Sequence, residues 1–287
     1  MKIALIMIVG LWTLYAETLP TMAFLGYDNE DWLVCVTQED GTTKEINLEQ
    51  EPRSFAYDFK TGQILYVGSD GILRLYDKGS ERELKLPGTT SSYTQPSFSC
   101  KKDLAYAVEL IDGNSKSTQI VLIDLKRDTL TIAVRQNSSQ FEPSEINDQA
   151  LLFTNLVCNN GCGKLIQEIW KKDKIIGESD QLTLLNAFSS NPSIDPDDHW
   201  LFFSSNKNGN YHIWGKDLNT DDRSTQMTVG STTDSFVKSI GKGAFLYIRQ
   251  DKSNHSIMYG DIKGKSYEVK LEKQYNKIRQ LKVNTCK

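Results

Sequence analysis

The sequence has little histidine, few prolines and no excess of positive charge. Only three of its 287 residues are histidine and seven are proline, and the formal net charge is −4. A weakly acidic chain has no overall basic field to attract nucleic acid, and its basic residues are not interleaved with aromatic ones. Because 39% of the residues are hydrophobic and 24% are charged, the composition is that of a globular protein. We therefore expect no nucleic-acid partner.

The chain also lacks the motifs that mark common catalytic and cofactor sites. It has no Gly-x-Ser-x-Gly elbow and no glycine-rich phosphate loop. A histidine metal site would need His199, His212 and His255 to converge, and we interpret them as surface side chains instead. The Asp-Pro-Asp-Asp segment at 195–198 offers carboxylates for Ca²⁺, but we interpret it as a turn in which Asx side chains bond nearby backbone amides. We predict no catalytic residue, no metal and no cofactor.

One long hydrophobic run is present, at the N-terminus. Lys2 precedes an apolar stretch over residues 3–14, and Ala16 is a small residue at a potential cleavage edge. This pattern is typical of a secretory signal peptide. The alternative is a membrane anchor, but about 20 residues are needed to cross a bilayer. We predict a signal peptide over 1–16 with cleavage after Ala16, one domain over 17–287, and a periplasmic or secreted protein that does not span the membrane.

Five cysteines follow the predicted cleavage site, and an exported protein meets oxidising conditions in which disulfides persist. Cys158 and Cys162 flank Asn-Asn-Gly, so we predict a hairpin tip with a local disulfide. Zinc is the alternative, but two further ligands at suitable spacing are absent from the sequence. Cys35 lies in an apolar run at 32–36 and is interpreted as a small core residue.

The sequence does contain an internal repeat. In the copy at 191–218, a proline-containing start is followed by an apolar strand, an Asn-Gly hairpin signal and an aromatic strand that ends in Asp-Leu. Five copies are complete, at 50–88, 93–135, 140–184, 188–229 and 232–272. Prolines near the starts recur at steps of 44, 47 and 49 residues, at Pro52, Pro96, Pro143 and Pro192.

Each copy contains about four short strands, and a four-stranded unit of about 40–50 residues is one blade of a β-propeller. The segment 19–48 is a truncated copy, and the tail 273–287 is the natural candidate to complete it and close the ring. We predict an all-β propeller of six blades with four antiparallel strands each. The alternative is five blades with a separate N-terminal hairpin.

The copy at 191–218 resembles the TolB-like propeller repeat, a WD-like motif. The matching portions are Ser205-Asn-Lys-Asn-Gly209 and Ile213-Trp-Gly-Lys-Asp-Leu218, and Asp198 stands where the family often has glycine. The copy at 95–125 matches next best. The resemblance implies the architecture and says little about function. We expect the chain to lack the N-terminal α/β domain that precedes the propeller in TolB.

A propeller without catalytic motifs predicts an interaction or scaffold module with a protein or peptide partner in the bacterial cell envelope. Aromatic residues near the starts of the copies are our candidate contacts, although packing between blades also explains them: Tyr57, Phe59, Tyr93, Phe141, Phe188 and Phe236. Two alternatives remain open. One is an enzyme in the channel, such as a metal-dependent lyase or lactonase, and the other is a carbohydrate- or cell-wall-binding propeller.

Basic residues gather near the C-terminus, at Lys270, Lys273, Lys277, Arg279, Lys282 and Lys287. Such a run either contacts an acidic partner or forms a solvated terminal face, and the second explanation is the commoner one.

Overall fold

The computed structural model describes residues 20–88, 92–113, 117–147, 149–159, 164–195, 199–220 and 223–284. The predicted signal peptide lies outside this range. The described residues form 24 strands and one 3₁₀ turn, Ile111–Gly113. Within this part of the chain, no helix has the length and apolar character needed to cross a membrane.

Five of the six sheets are built from four consecutive strands. Blade 1 comprises β4 Ser54–Tyr57, β5 Ile64–Val67, β6 Leu73–Asp77 and β7 Ser80–Glu83. Blade 2 comprises β8 Ser92–Phe98, β9 Leu104–Leu110, β10 Thr118–Asp124 and β11 Thr129–Val134. Blade 3 comprises β12 Ser139–Asn147, β13 Ala150–Asn159, β14 Lys164–Asp173 and β15 Ser179–Gln181.

Blades 4 and 5 repeat this pattern. Blade 4 comprises β16 Ser189–Asp195, β17 Trp200–Ser205, β18 His212–Asp217 and β19 Thr225–Gln226. Blade 5 comprises β20 Thr233–Gly241, β21 Ala244–Asp251, β22 Asn254–Asp261 and β23 Ser266–Glu268.

The sixth sheet joins the two ends of the described chain, and we call it the closing blade. It comprises β1 Met22–Tyr27, β2 Trp32–Thr37, β3 Thr43–Ile46 and the last strand, β24 Lys277–Val283. Strand β24 pairs antiparallel with β1, so that Lys277 lies opposite Tyr27. This pairing confirms the predicted closure by the tail, and the alternative of five blades with a separate hairpin is wrong.

The innermost strands of consecutive blades contact one another in a closed ring, from β24 to β4, β8, β12, β16, β20 and back to β24. The molecule is therefore a six-bladed propeller around a central channel, as predicted. Each blade is covered by a neighbour on both faces, which explains why second strands such as β5 (Ile-Leu-Tyr-Val) are buried along their whole length rather than alternating between core and solvent.

The hydrophobic core is divided into six clusters of buried residues, one at each junction between neighbouring blades in the described part of the chain. Between blades 4 and 5, for example, the ring centroids of Phe202 and Phe245 are 4.7 Å apart, and both side chains are almost completely buried. Full burial of one such side chain contributes about 1.5–3 kcal/mol to the free energy of folding. Packing between blades, rather than within them, holds the ring together.

Five of the innermost strands carry a β-bulge, where the register with the next strand shifts. At each bulge one residue that is not glycine has a positive φ, between 48° and 57°: Gln95, Glu142, Asn191, Phe236 and Gln280. A bulge bends the strand and redirects its side chains. We call these five the bulge residues, and they position the site described next.

Candidate binding channel

The bulge residues link neighbouring blades at one end of the channel. The backbone N–H of Glu142 donates to Gln95 Oε1 at 2.9 Å, and that of Asn191 donates to Glu142 Oε2 at 2.7 Å. The N–H of Phe236 donates in turn to Asn191 Oδ1 at 3.1 Å. Each side chain thus accepts a hydrogen bond from the backbone of the next blade, which fixes the side-chain direction and the spacing of the blades.

The chain of hydrogen bonds extends through blade 1 as well. Gln280 Oε1 accepts from the N–H of Phe55 at 3.1 Å, and Ser54 Oγ accepts from the N–H of Gln95 at 3.0 Å. Phe236 has no side-chain acceptor, so this series cannot continue from blade 5 to the closing blade. There, Phe236 packs against the apolar cluster that contains Leu246 and Leu281.

One level of the channel, which we call the waist, is lined by residues that belong to both of the cavities that open at its two ends. Ser144, Lys238 and Lys282 line both cavities. Lys238 and Lys282 occupy the same position in β20 and β24, two residues after the bulge residue. In β8 and β12 this position is occupied by Ser97 and Ser144.

The two lysines of the waist are not paired. Neither ammonium group forms an ion pair or a hydrogen bond with a described residue, and Lys282 Nζ lies 5.7 Å from the centroid of the Phe55 ring. Burial in the channel and the charge of Lys238 lower the pKa of Lys282 to about 7. Burial also lowers the pKa of Lys238, and the carboxylate of Glu142 opposes this effect.

Glu142 is the acidic group that interacts with these lysines. Burial raises its pKa, against the effect of the Asn191 N–H and of the two lysines. Its oxygens accept from the N–H of Asn191 and, at 2.8 Å, from Asn191 Nδ2. With Lys238 and Lys282 protonated and Glu142 ionised, these three groups together carry one more positive than negative charge.

One end of the channel opens into a cavity of about 660 Å³ that we call the wide mouth. Its rim includes the β4–β5 loop, where the rings of Tyr57 and Phe59 meet edge to face with centroids 4.9 Å apart. The β8–β9 loop, Ser99–Asp103, forms the adjacent part of the rim. Apolar ring surface and flexible cationic side chains thus lie side by side.

Positive charge prevails in the wide mouth. Its lining contains six lysines, two of them in the waist, against three aspartates. All three aspartates are engaged: Asp58 accepts from Thr61 Oγ1 at 2.6 Å, Asp77 from Gln63 Nε2 at 3.0 Å, and Asp103 pairs with Lys126 Nζ at 2.7 Å. A net negative protein therefore has a positive channel mouth, which focuses negatively charged groups towards it.

The opposite end is a cavity of about 480 Å³, the narrow mouth. The bulge residues and the prolines that follow three of them, Pro96, Pro143 and Pro192, line this opening. Because four of the five bulge side chains, those other than Phe236, are held by hydrogen bonds between blades, this end is a rigid frame rather than a set of free side chains.

Solved structures share this architecture. TolB from Acinetobacter baumannii matches with a TM-score of 0.70 at 16% identity, over 91% of this chain and 66% of that chain. A putative TolB from Agrobacterium tumefaciens matches with a TM-score of 0.66 at 13% identity, over 86% and 87% of the two chains. The fold is that of a TolB-like propeller.

The TolB-like propeller fold also resembles a chain of the nidogen–laminin complex, with a TM-score of 0.64 at 12% identity over 91% of this chain and 97% of that chain. The sequence matches no protein-family model and no curated protein. At these identities the likeness is one of fold, and function has to be argued from the site.

The structure separates the six aromatic residues that the sequence singled out. Tyr57 and Phe59 lie at the wide mouth and Phe236 lies at the narrow mouth, so these three line the channel of the TolB-like propeller. A contact role for them stays a prediction, with Tyr57 and Phe59 at one end of the channel and Phe236 at the other.

The other three candidates lie away from the channel lining. Tyr93 is only 8% exposed and packs in the cluster between blades 1 and 2. Phe141 packs against the cluster between blades 2 and 3. The backbone N–H of Phe188 donates to Asn206 Oδ1 at 3.0 Å, and Phe188 forms an isolated bridge with Gln167. Tyr93 and Phe141 are therefore explained by packing between blades, which was the alternative to a contact role for the six aromatic residues.

The described histidine contacts are structural. His255 Nδ1 lies 2.9 Å from the carbonyl oxygen of Ile278, and His212 Nδ1 lies 3.7 Å from Asp234 Oδ2. Asp195 is fully buried, and its Oδ2 accepts from the N–H of Gly243 at 2.9 Å, which joins blades 4 and 5. Asp197 and Asp198 lie outside the described residues. Among the residues described, no group of three potential ligands could hold a metal ion.

Cys35 is a free thiol with no exposed surface in the cluster of the closing blade, which confirms its interpretation as a core residue. Burial raises the pKa of this thiol to about 11, so it is not reactive at neutral pH. The predicted Cys158–Cys162 disulfide falls at a hairpin tip whose side chains lie outside the described residues.

The C-terminal basic run does not form one solvated face. Lys273 pairs with Glu45 at 2.7 Å, and the Arg279 guanidinium lies 3.9 Å from the centroid of the Trp32 ring. Lys282 lies in the channel. Sequence reasoning missed the waist, because the signal is the position two residues after each bulge residue. The strands that carry Lys238 and Lys282 have no proline by which to align them with the other repeats.

Proposed function

We propose that this TolB-like propeller is an exported, non-catalytic binding module that holds a protein or peptide segment at its wide mouth. The observation that carries the proposal is the combination found there, an aromatic pair beside a lining in which lysines outnumber aspartates, in an otherwise acidic protein. Rigid aromatic rings supply binding area at low entropic cost, and complementary charge accelerates and orients association.

The rigidity of the ring supports a binding role. Side chains of the bulge residues connect the blades by hydrogen bonds, so the loops at the mouth are carried by a frame that deforms little. A preorganised surface loses less conformational entropy on binding than a mobile one. Loops on a rigid scaffold are also where binding residues concentrate.

The N-terminal sequence supports export, because residues 1–16 follow the pattern of a secretory signal peptide. We place the protein in the bacterial periplasm or outside the cell, and its partner in the cell envelope. Mass spectrometry of the protein recovered from its native host tests this part: a mature N-terminus at Glu17 is expected, and an intact Met1 at full length contradicts export by cleavage.

The binding role is tested by crosslinking the mature protein in an envelope fraction, identifying the captured partner and measuring its affinity for the purified chain. We expect the double substitution Tyr57→Ala and Phe59→Ala to weaken binding by about tenfold or more. The matched control is Tyr259→Ala with Tyr267→Ala, which removes another aromatic pair, stacked at 4.6 Å on the outer strands of blade 5.

Charge is tested in the same assay. Lys60→Glu at the wide mouth should slow association and reduce its salt dependence, whereas Lys263→Glu, an exposed residue in the β22–β23 turn, should change neither. If partner affinity falls equally for both aromatic pairs, and association slows equally for both lysine variants, the partner does not bind at the wide mouth. If the protein turns over a substrate and a chelator stops the reaction, the binding role is wrong and the metal-dependent enzyme alternative is supported.

A further inference from the structure

We infer that the waist of the channel is a binding site for a single carboxylate group, held between Lys238, Lys282 and Ser144. The inference deepens the proposed function and rests on it for the source of the carboxylate, because the group would belong to the segment bound at the wide mouth. The site itself can be tested without any partner.

Lys238 and Lys282 lack ionic partners among the described residues of the chain. A partly buried cation normally has a carboxylate beside it, because burial without a partner is costly. This chain follows that rule elsewhere: Arg249 pairs with Asp234 at 2.8 Å, and Arg74 pairs with Asp70 at 2.6 Å. Lys238 and Lys282 depart from it together, on adjacent innermost strands, and no described residue satisfies their ammonium groups.

The waist is also accessible from the wide mouth. The waist lies where the two cavities meet, so a ligand group can reach it from the wide mouth through a cavity of about 660 Å³. Ser144 lines the same level and supplies a hydroxyl donor. Two ammonium groups and a hydroxyl are donors suited to the two oxygens of a carboxylate.

The net charge around the waist matches that of one carboxylate. Glu142 interacts electrostatically with both lysines, so the waist carries a single net positive charge when both are protonated. One bound carboxylate neutralises it, whereas a doubly charged phosphate would leave an excess of negative charge close to Glu142. The site therefore favours a monoanion over a dianion.

Binding should be coupled to protonation. The charged groups that interact with Lys282 are Lys238 on β20 and Glu142 on β12, and from β4 it meets the Phe55 ring, which does not titrate. A bound anion favours the protonated form of Lys282 and raises its pKa. Carboxylate affinity should therefore fall as the pH rises through neutrality.

The test is a titration of the mature protein with sodium acetate, with sodium chloride added to keep the ionic strength constant, followed by the side-chain NMR signals of lysine. Signals of Lys238 and Lys282 are assigned from Lys238→Met and Lys282→Met. We expect a saturable shift of both signals with acetate, an upward shift in the pKa of Lys282, and affinity about tenfold lower in either variant. Lys174, which pairs with Glu145, is the internal control and should not respond.

Each result decides the matter. Saturation with acetate that is lost in the variants, while their thermal unfolding matches that of the unsubstituted protein, supports the site. A response that is linear, that chloride reproduces, or that persists in both variants overturns it. Inorganic phosphate that binds more tightly than acetate overturns the preference for a monoanion.

Three short peptides distinguish the sources of the carboxylate. An acetylated peptide with a free C-terminus presents a terminal carboxylate, its amidated form presents none, and an amidated peptide with one internal glutamate presents a side chain. The two proposals separate if the unsubstituted protein binds acetate but Lys282→Met leaves partner binding unchanged. The carboxylate site then stands, but it is not part of the partner interface. Acetate binding without any partner at the wide mouth leaves the site intact and removes the proposed function.

Discussion

Two glutamates three residues apart on β12, Glu142 and Glu145, meet opposite environments. Glu145 lies between blades, 4% exposed, where it pairs with Lys174 and accepts from Ser99 Oγ at 2.7 Å and Tyr106 OH at 3.1 Å. Glu142 faces the channel, and its carboxylate accepts hydrogen bonds from Asn191 of the next blade, while the two cations that interact with it remain unpaired.

The pKa values express the same contrast. Burial alone would raise the pKa of Glu145, but Lys174, Ser99 and the N–H of Cys100 outweigh it, and the pKa is lowered. For Glu142 burial prevails and the pKa is raised. A carboxylate satisfied by its own chain stabilises the fold, whereas a site left unsatisfied is available to a ligand. The predictions below test this contrast.

The largest expected effect is that of Glu145→Gln. The substitution leaves Lys174, with 20% of its side chain exposed, without a countercharge, and the free energy of unfolding should fall by about 3 kcal/mol. Denaturant unfolding measures it. The double variant with Lys174→Met should recover part of the loss, and a double variant no more stable than the single one would contradict the pairing.

The same group predicts a pH dependence. Because its pKa is lowered in the folded state, the stability that Glu145 contributes is present above its unfolded pKa of about 4.3 and is lost as the pH falls through its lower folded pKa. The difference in unfolding free energy between the unsubstituted protein and Glu145→Gln should therefore shrink in acid. A difference that stays constant down to about pH 3 would assign the effect to packing rather than to charge.

Asn191 allows a smaller, cleaner test of the links between blades. Asn191→Gly keeps the positive φ of 53° accessible and keeps the backbone N–H that donates to Glu142. It removes the two side-chain bonds, from Nδ2 to Glu142 and from the N–H of Phe236 to Oδ1, and should cost about 1–2 kcal/mol of stability. Asn191→Ala removes the same bonds and should cost about 1 kcal/mol more, because a Cβ disfavours this backbone region. Equal losses in thermal or denaturant unfolding would show that the backbone is not under this constraint.

Glu142→Gln should change the free energy of unfolding by less than about 1 kcal/mol at neutral pH, because the amide oxygen can still accept from the N–H of Asn191 and the cost of a buried charge is removed. In the same variant acetate should bind more tightly, since the waist gains positive charge. A loss of stability comparable to that of Glu145→Gln would remove the distinction between the two glutamates.

The smallest expected effect is that of Lys282→Met on the pH dependence of stability. With the folded pKa lowered to about 7, the unfolded chain binds more protons above that pH, so stability should rise between about pH 7 and about pH 10. Lys282→Met should flatten this part of the profile. Unfolding at these pH values measures it, and Lys174→Met, which removes a paired lysine, is the control.

The sequence predicted much of the fold because the repeat signals are local. Pro52, Pro96, Pro143 and Pro192 and the turn residues between strands recur at a constant spacing, and the apolar second strands repeat with them. The closure by β24 could also be predicted, because the truncated first copy and the C-terminal tail together supply the strands of one blade. The site was predicted less well: of six aromatic candidates, Tyr93 and Phe141 pack between blades, because strand periodicity does not say which end of a strand meets the channel.

By itself, the sequence determined the number of blades, their strand order and their closure, since hydrophobic runs and turns act within single repeats. Only the tertiary structure decided that Glu142, Lys238 and Lys282 lie together in the channel. These residues come from three blades and are separated by up to 140 positions, and they meet because the ring closes and the bulges turn their side chains inward. Lys282, which belongs to the C-terminal basic run of the sequence, thereby becomes part of the channel through the molecule.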